Sequence, residues 1–291
     1  TPIDFSMKNK LLTIFQVTIT VFFIYYTLTK ISIYKILEIL KSADLLFILF
    51  ASILYFLSQI ISSERLWFIL KANNLIISSK ENIKLYMIGI FYNFFIPGGV
   101  GGDAYKGVLM NKKFQWSLKK IYKLLILDRL IGFGVIVCLI LVFSGFILDL
   151  EFALKFGAIL GPLYTLLFIA GKVLVQKIFD NEIVYNKAFF ISHLIQILQF
   201  GSIILILISL GVSDNYFTFL YIFLISSVLS IFSFGGIGIR EYVFFTLATN
   251  TTVSPDIATS VGLIFTFSAL VSSIPGLFFL MIVNSKKKLS T

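Results

Sequence analysis

The sequence predicts an all-α polytopic membrane protein with six full spans and two re-entrant helical hairpins, arranged as an inverted repeat. Three observations predict it. The 291-residue chain is 58% hydrophobic and 13% charged, whereas soluble domains carry about 25% charged residues. Its basic residues are sorted to one side of the apolar runs. Two glycine clusters, GGVGGD at 98–103 and GGIGIR at 235–240, interrupt short apolar segments at corresponding places in the two halves.

Six segments read as full spans: 11–29, 45–63, 121–148, 152–176, 188–210 and 257–283. Each approaches the roughly 20 residues needed to cross a bilayer. The first lacks a small-residue cleavage site and is long enough to remain a helix rather than a signal peptide. The stretch ISIYKILEILKSAD (31–44) mixes apolar and charged residues at helical spacing and reads as a helix lying along the outer interface. Segment 84–96 is too short to cross about 30 Å at 1.5 Å per residue. Segment 217–234 ends at the second glycine cluster, followed by YVFFTLAT and the polar NTTVSPD. Both read as hairpins that enter and leave on one side, over 84–120 and 217–250.

Charge supports that reading. With the N-terminus in the cytoplasm, 18 of the 24 basic residues are cytoplasmic and four (Lys30, Lys35, Lys41, Lys155) are outside. Arg129 and Arg240 fall within apolar stretches. This is a positive-inside distribution with both termini cytoplasmic. A full span at 217–234 would move Lys286, Lys287 and Lys288 outside, against the bias.

Each half then reads span, span, hairpin, span, with opposite starting sides. The offsets between corresponding elements are similar: 11 to 152, 45 to 188 and Gly98 to Gly235. Opposed halves with paired broken segments point to an inverted repeat, roughly 8–148 and 150–288, with a site where the breaks meet. The connection LDLEF (148–152) is short, so 1–291 is a single transmembrane domain.

Glycine-rich backbone at membrane depth survives only where protein covers it or where it lines a wet cavity. Gly98, Gly99, Gly101 and Gly102 permit a tight turn, and the helix that follows aims its free N–H groups at the break, an arrangement suited to an anion. Asp103 is an N-cap for that helix on one reading and a functional carboxylate on another. The second break carries Gly235, Gly236 and Gly238 beside Arg240 and Glu241. Arg240 offers a planar fork for phosphate, or an ion pair with Asp103 or Asp128. Asp128 and Arg129 interrupt a long apolar run, either as an interfacial anchor pair or as polar lining beside the first hairpin. His193 is the sole histidine. Ser192, Gln196 and Gln199 give span 188–210 a polar face with His193 at its edge, explained by interhelical hydrogen bonds or by a cavity wall contacting a headgroup. Gln59, Glu64 and Arg65 end span 45–63, lining the same cavity or marking the interface.

Several functions lack their residues. One histidine and one cysteine, Cys138, give no metal site, and no cofactor is implied. There is no phosphate-binding P-loop, no GxSxG elbow and no paired-carboxylate DxD loop. The net charge of +10 is spread between apolar spans rather than gathered in one patch, so orientation accounts for it and nucleic acid does not.

NFFIPGGVGGDAYK (93–106), LDRLIGF (127–133) and SFGGIGIREY (233–242) resemble, in order, the three signature blocks of the lysylphosphatidylglycerol synthetase transmembrane-region family, the flippase-like domain proteins. That family includes the membrane half of the multiple peptide resistance factor, which moves aminoacylated phosphatidylglycerol between leaflets. The resemblance places Asn93, Pro97, Gly101, Gly102, Asp103, Asp128, Arg129, Gly236, Gly238, Arg240 and Glu241 on family positions. Lys106 stands where arginine is common, and the soluble aminoacyl-transferase part of the resistance factor has no counterpart here. The resemblance implies a bacterial inner-membrane protein that translocates or binds an anionic phospholipid or lipid-linked glycan. Lys106, Arg129 and Arg240 would face phosphate, and His193 and Gln196 would line the cavity. The alternatives are a membrane-embedded glycosyl- or aminoacyl-transferase acting on a lipid carrier, and a non-catalytic subunit partnering a glycosyltransferase. A homodimer is compatible with either.

Overall fold

The structure is a computed structural model. It describes residues 33–95, 101–148, 150–179, 182–233, 235–249, 251 and 253–288, together with 18, 21–27 and 29. Every regular element among them is helical. In chain order these are α1 (Ile33–Ser42), α2 (Leu45–Ala72), α3 (Ser79–Phe95), α4 (Gly101–Phe114), α5 (Leu118–Leu148), α6 (Leu150–Phe179), α7 (Glu182–Ser209), α8 (Tyr216–Leu229), α9 (Ile239–Ala248) and α10 (Pro255–Lys288), with a 3-10 turn at Ser230–Phe232.

Four of these helices are long and apolar enough to cross a membrane: Leu45–Ala72, Leu118–Ser144, Val184–Ser209 and Pro255–Ile282. They match four of the six expected spans. The span expected at 152–176 is helical throughout, within α6. Most of the span expected at 11–29 lies outside the described residues; 21–27 is helical, and Phe23 and Tyr26 pack on Tyr242 of α9. The amphipathic stretch 31–44 contains α1, and Asp44 caps α2 by accepting the Leu46 N–H at 2.8 Å.

One boundary differs in a way that matters. The sequence reading ended the second span at residue 63, where Glu64 and Arg65 begin. The helix continues to Ala72, because Arg65 is not at an interface but buried against other helices.

α3 and α4 form an antiparallel pair around the first break. Glu81 meets Lys113 near the open end, Tyr86 underlies Lys106 in the middle, and Asn93 meets Gly102 at the tip. α8 and α9 form the second pair around the second break. α2 and α7 share the most extensive interface and form the centre. Each hairpin's returning helix packs on the long helix that follows it, α4 on α5 and α9 on α10. Each entering helix packs on the long helix of the other half, α3 on α10 and α8 on α5. Glycine permits the tightest of these crossings: a Cβ on Gly276 of α10 would overlap the Met87 carbonyl of α3.

Candidate functional site

The first hairpin closes because two glycines let its backbones touch. A Cβ on Gly102 would overlap the Gly89 carbonyl, and one on Gly89 would stand 3.3 Å from the Gly102 carbonyl. The Gly102 N–H donates to Asn93 Oδ1 at 3.0 Å, satisfying one of the free amides at the start of α4. Gly101 is buried at the first position of α4. Pro97, Gly98 and Gly99 lie outside the described residues.

Asp103 is not the N-cap. α4 begins at Gly101, so Asp103 sits inside the first turn, still favourably placed toward the helix's positive end. Its carboxylate is shared by two cations. Lys106 Nζ lies 2.8 Å from Oδ1, and Arg129 Nε of α5 lies 2.7 Å from Oδ2. Lys106 is buried, its ammonium 4.4 Å from the centre of the Tyr86 ring. The Arg129 side chain is 50% exposed. Two cations around one carboxylate leave the cluster net positive.

Asp128, next in sequence to Arg129, serves a different partner. Arg65 of α2 grips it from two nitrogens, Nε to Oδ1 at 2.7 Å and Nη2 to Oδ2 at 3.0 Å. The remaining nitrogen, Nη1, donates to Ser192 Oγ of α7 at 2.7 Å. Gly132 leaves room for this guanidinium, since a Cβ there would stand 2.9 Å from Nη1. Consecutive helical residues point about 100° apart, so Asp128 and Arg129 are not a joint anchor. Asp128 belongs to a buried brace across α2, α5 and α7.

Arg240 has no such counter-ion. It is 7% exposed, and among the described residues no carboxylate lies within ion-pair distance. Asp103 and Asp128, the partners considered from sequence, are held by other cations. Arg240 Nη1 donates to Thr266 Oγ1 of α10 at 3.2 Å, and the guanidinium lies over Phe265, 4.8 Å from its centre. Tyr55 of α2 packs edge-on against the same ring. Among the described residues the Arg240 Nε has no hydrogen-bond partner. Adjacent Glu241 makes no direct ion pair with it and offsets its charge through the shared Thr266 hydroxyl, while capping its own helix: Oε2 accepts the Gly238 N–H at 2.6 Å and Oε1 accepts the Thr266 hydroxyl at 2.7 Å.

The second break brings these residues to the first. Gly235, Gly236 and Gly238 all have left-handed φ, at 57°, 91° and 82°. A Cβ on Gly235 would collide with the Phe94 ring, at the tip of the first hairpin. A Cβ on Gly236 would stand 3.0 Å from Arg240 Nη2. The junction of the two breaks and the Arg240 guanidinium are therefore neighbours. The contacts Asp103–Arg129 and Arg240–Thr266 each join residues 26 apart, from the start of a returning helix to the long helix after it.

The structure does not bring every sequence candidate to this junction. His193 turns toward α6: its Nδ1–H donates to the Phe189 carbonyl at 2.9 Å, and Nε2 accepts from the Tyr164 hydroxyl at 2.8 Å. Gln199 and Gln59 both reach Ser58, at 3.4 and 3.2 Å, tying α7 to α2. Gln196 is buried, its Oε1 without a partner among the described residues. Among the described residues no group of three or more histidine, cysteine or acidic side chains could hold a metal. Tyr86, Phe265 and Thr266 were not singled out from sequence. Thr266 had a signal, since it lies as far beyond Arg129 as Gly235 lies beyond Gly98.

Comparison with known proteins places this arrangement. The family model described as the lysylphosphatidylglycerol synthase TM region matches residues 13–189. A UPF0104 membrane protein, PH1989, of Pyrococcus horikoshii is 32% identical over 127 residues, covering 43% of this chain and 37% of that protein. The chain thus aligns with little more than a third of that relative's length. No solved structure matches. The matched region contains the first hairpin and the Arg65–Asp128 brace, and the helices are those of a multi-pass membrane protein: the chain belongs to the lysylphosphatidylglycerol synthase transmembrane-region family.

Proposed function

We propose that the protein binds an anionic phospholipid or lipid-linked glycan through its phosphate, at the junction of the two breaks, and carries it between leaflets. The observation that carries this reading is Arg240. A buried guanidinium without a direct ion pair is costly, and a nitrogen with no partner among the described residues can take an acceptor. A phosphate supplies charge and acceptor oxygens together. Arg129, half exposed and bonded to a carboxylate it shares with Lys106, is the second cation available to the headgroup.

The architecture proposed for this task is six spans and two re-entrant hairpins, related by an inverted repeat, in the plasma membrane with cytoplasmic termini. It is supported by the reciprocal packing of each entering helix on the other half, by the paired 26-residue contacts and by the basic-residue bias. In such a protein, rocking one repeat against the other exposes the central site to alternate sides.

The enzymatic alternative, glycosyl or aminoacyl transfer to a lipid carrier, needs a free base. Asp103 is held by two cations and Glu241 by two hydrogen-bond donors, so both candidates are engaged. The test is leaflet exchange in liposomes containing only this protein. Labelled anionic phospholipid should become accessible to a membrane-impermeant quencher from both leaflets. Failure with anionic phospholipids and with isoprenoid phosphates alike would refute the proposal.

A further inference from the structure

The other side of α5 carries an apolar groove. An apolar cavity of about 510 Å³ lies between α5, α6 and the start of α7. Its α5 wall runs from Lys123 to Cys138, 15 positions and roughly 22 Å at 1.5 Å per residue. That exceeds half of the ~30 Å hydrocarbon core. The walls are aliphatic and aromatic, and the floor is notched at Gly134, beside the small side chain of Cys138, while Tyr185 fills the space over Gly171. Among the described residues no atom lies within 4 Å of where a Gly134 Cβ would stand, so the notch is open.

One end of this groove is basic. At 100° per residue, Lys119 and Lys120 project within about 60° of Lys123, on the groove side of α5. All three are exposed, and Lys123 is part of the lining. Gly132, which abuts the Arg65 guanidinium, faces the opposite way. The groove is therefore separate from the polar junction.

We infer that this groove holds one acyl chain of an anionic phospholipid, its headgroup at Lys119, Lys120 and Lys123. Lipid tails are as apolar as the helices, so burial alone does not select an occupant. Selection comes from a chain fitting the small-residue notch and from the lysines at one end. This site retains lipid; it does not carry it, and the inference does not depend on the translocation proposal.

The test is binding without transport. The purified full chain in non-ionic detergent is given a diazirine-bearing phosphatidylglycerol, photolysed, and its cross-links mapped by peptide mass spectrometry. Cross-links should concentrate at the groove, on Leu130–Cys138 and Leu167–Val175. They should fall at least fivefold in Gly134→Leu, whose side chain enters open space, and severalfold in Lys123→Gln. The matching phosphatidylcholine probe should label the groove about fivefold less. Labelling spread equally over outward surfaces such as Leu45, Phe267 and Phe278, or unchanged in Gly134→Leu, would overturn the inference. So would a groove protected without lipid in a dimer detected by native mass spectrometry. The distribution of cross-links in the unaltered chain decides the matter even if a variant fails to fold.

Discussion

Gly235 lies against the ring of Phe94, 141 residues earlier in sequence, so the second break meets the tip of the first hairpin inside one helical bundle. Only glycine fits there, for two reasons. The left-handed φ of 57° disfavours a side chain, and a Cβ would enter the ring. Gly235→Ala should cost about 1–3 kcal/mol, combining backbone strain and overpacking. Phe94→Ala removes the obstacle, so the double variant should lose at least about 0.5 kcal/mol less than the sum of the single losses. Unfolding of the purified variants in detergent measures the coupling. Strict additivity would mean the two tips do not touch.

The brace of Arg65 and Asp128 should be indispensable to stability in a pairwise way. Arg65→Met leaves a buried carboxylate unpaired and should cost about 3–5 kcal/mol, as should Asp128→Leu, which leaves the guanidinium unpaired. The combined Arg65→Met/Asp128→Leu variant should recover most of that loss. Denaturant titration of the three proteins checks it. Equal losses in the single and double variants would show that packing, not charge, is at stake.

Asp103 holds two cations, and its removal should trade stability for lipid affinity. Asp103→Asn leaves Lys106 and Arg129 facing each other without a counter-ion. Its unfolding temperature in neutral detergent should fall. Adding phosphatidylglycerol should restore it by more than it raises that of the parent protein, because a ligand that binds only the folded state stabilises by mass action. A thermal shift series with phosphatidylglycerol and phosphatidylcholine separates this from a general lipid effect.

Much of this was readable from the chain, for physical reasons. Long apolar runs become helices whatever surrounds them, so α2, α5, α7 and α10 follow from composition alone. The second glycine cluster marked its break because Gly235, Gly236 and Gly238 take left-handed φ that side chains disfavour, and Gly102 of the first let α4 close on Gly89. Pairing of charges was harder to read. Arg65 looked like the end of a span because it follows Glu64; only the bundle shows that its guanidinium reaches Asp128, 63 residues away. Asp128 and Arg129 looked like one pair because they are adjacent, yet helical geometry sends them to different helices. Asp103 fitted an N-cap, but α4 starts two residues earlier once Gly102 docks on Gly89. His193, the sole histidine, drew notice by rarity, and its bonds to Tyr164 and Phe189 place it on another face.

Arg240 carries the central claim, and its charge makes the claim testable. Arg240→Met keeps length and apolar contact with Phe265 while deleting a buried charge that no described carboxylate pairs with directly. Removing a buried charge that has no direct ion pair should leave folding intact or improve it. The decisive measurement is the rate of anionic phospholipid exchange in liposomes containing Arg240→Met, alongside its unfolding temperature in lipid-free detergent. The account predicts an exchange rate at least about tenfold below that of the parent protein, equivalent to about 1.4 kcal/mol in the barrier, with an unfolding temperature equal or higher. Exchange at the parent rate, or a protein that unfolds because Arg240 was holding it together, would contradict it.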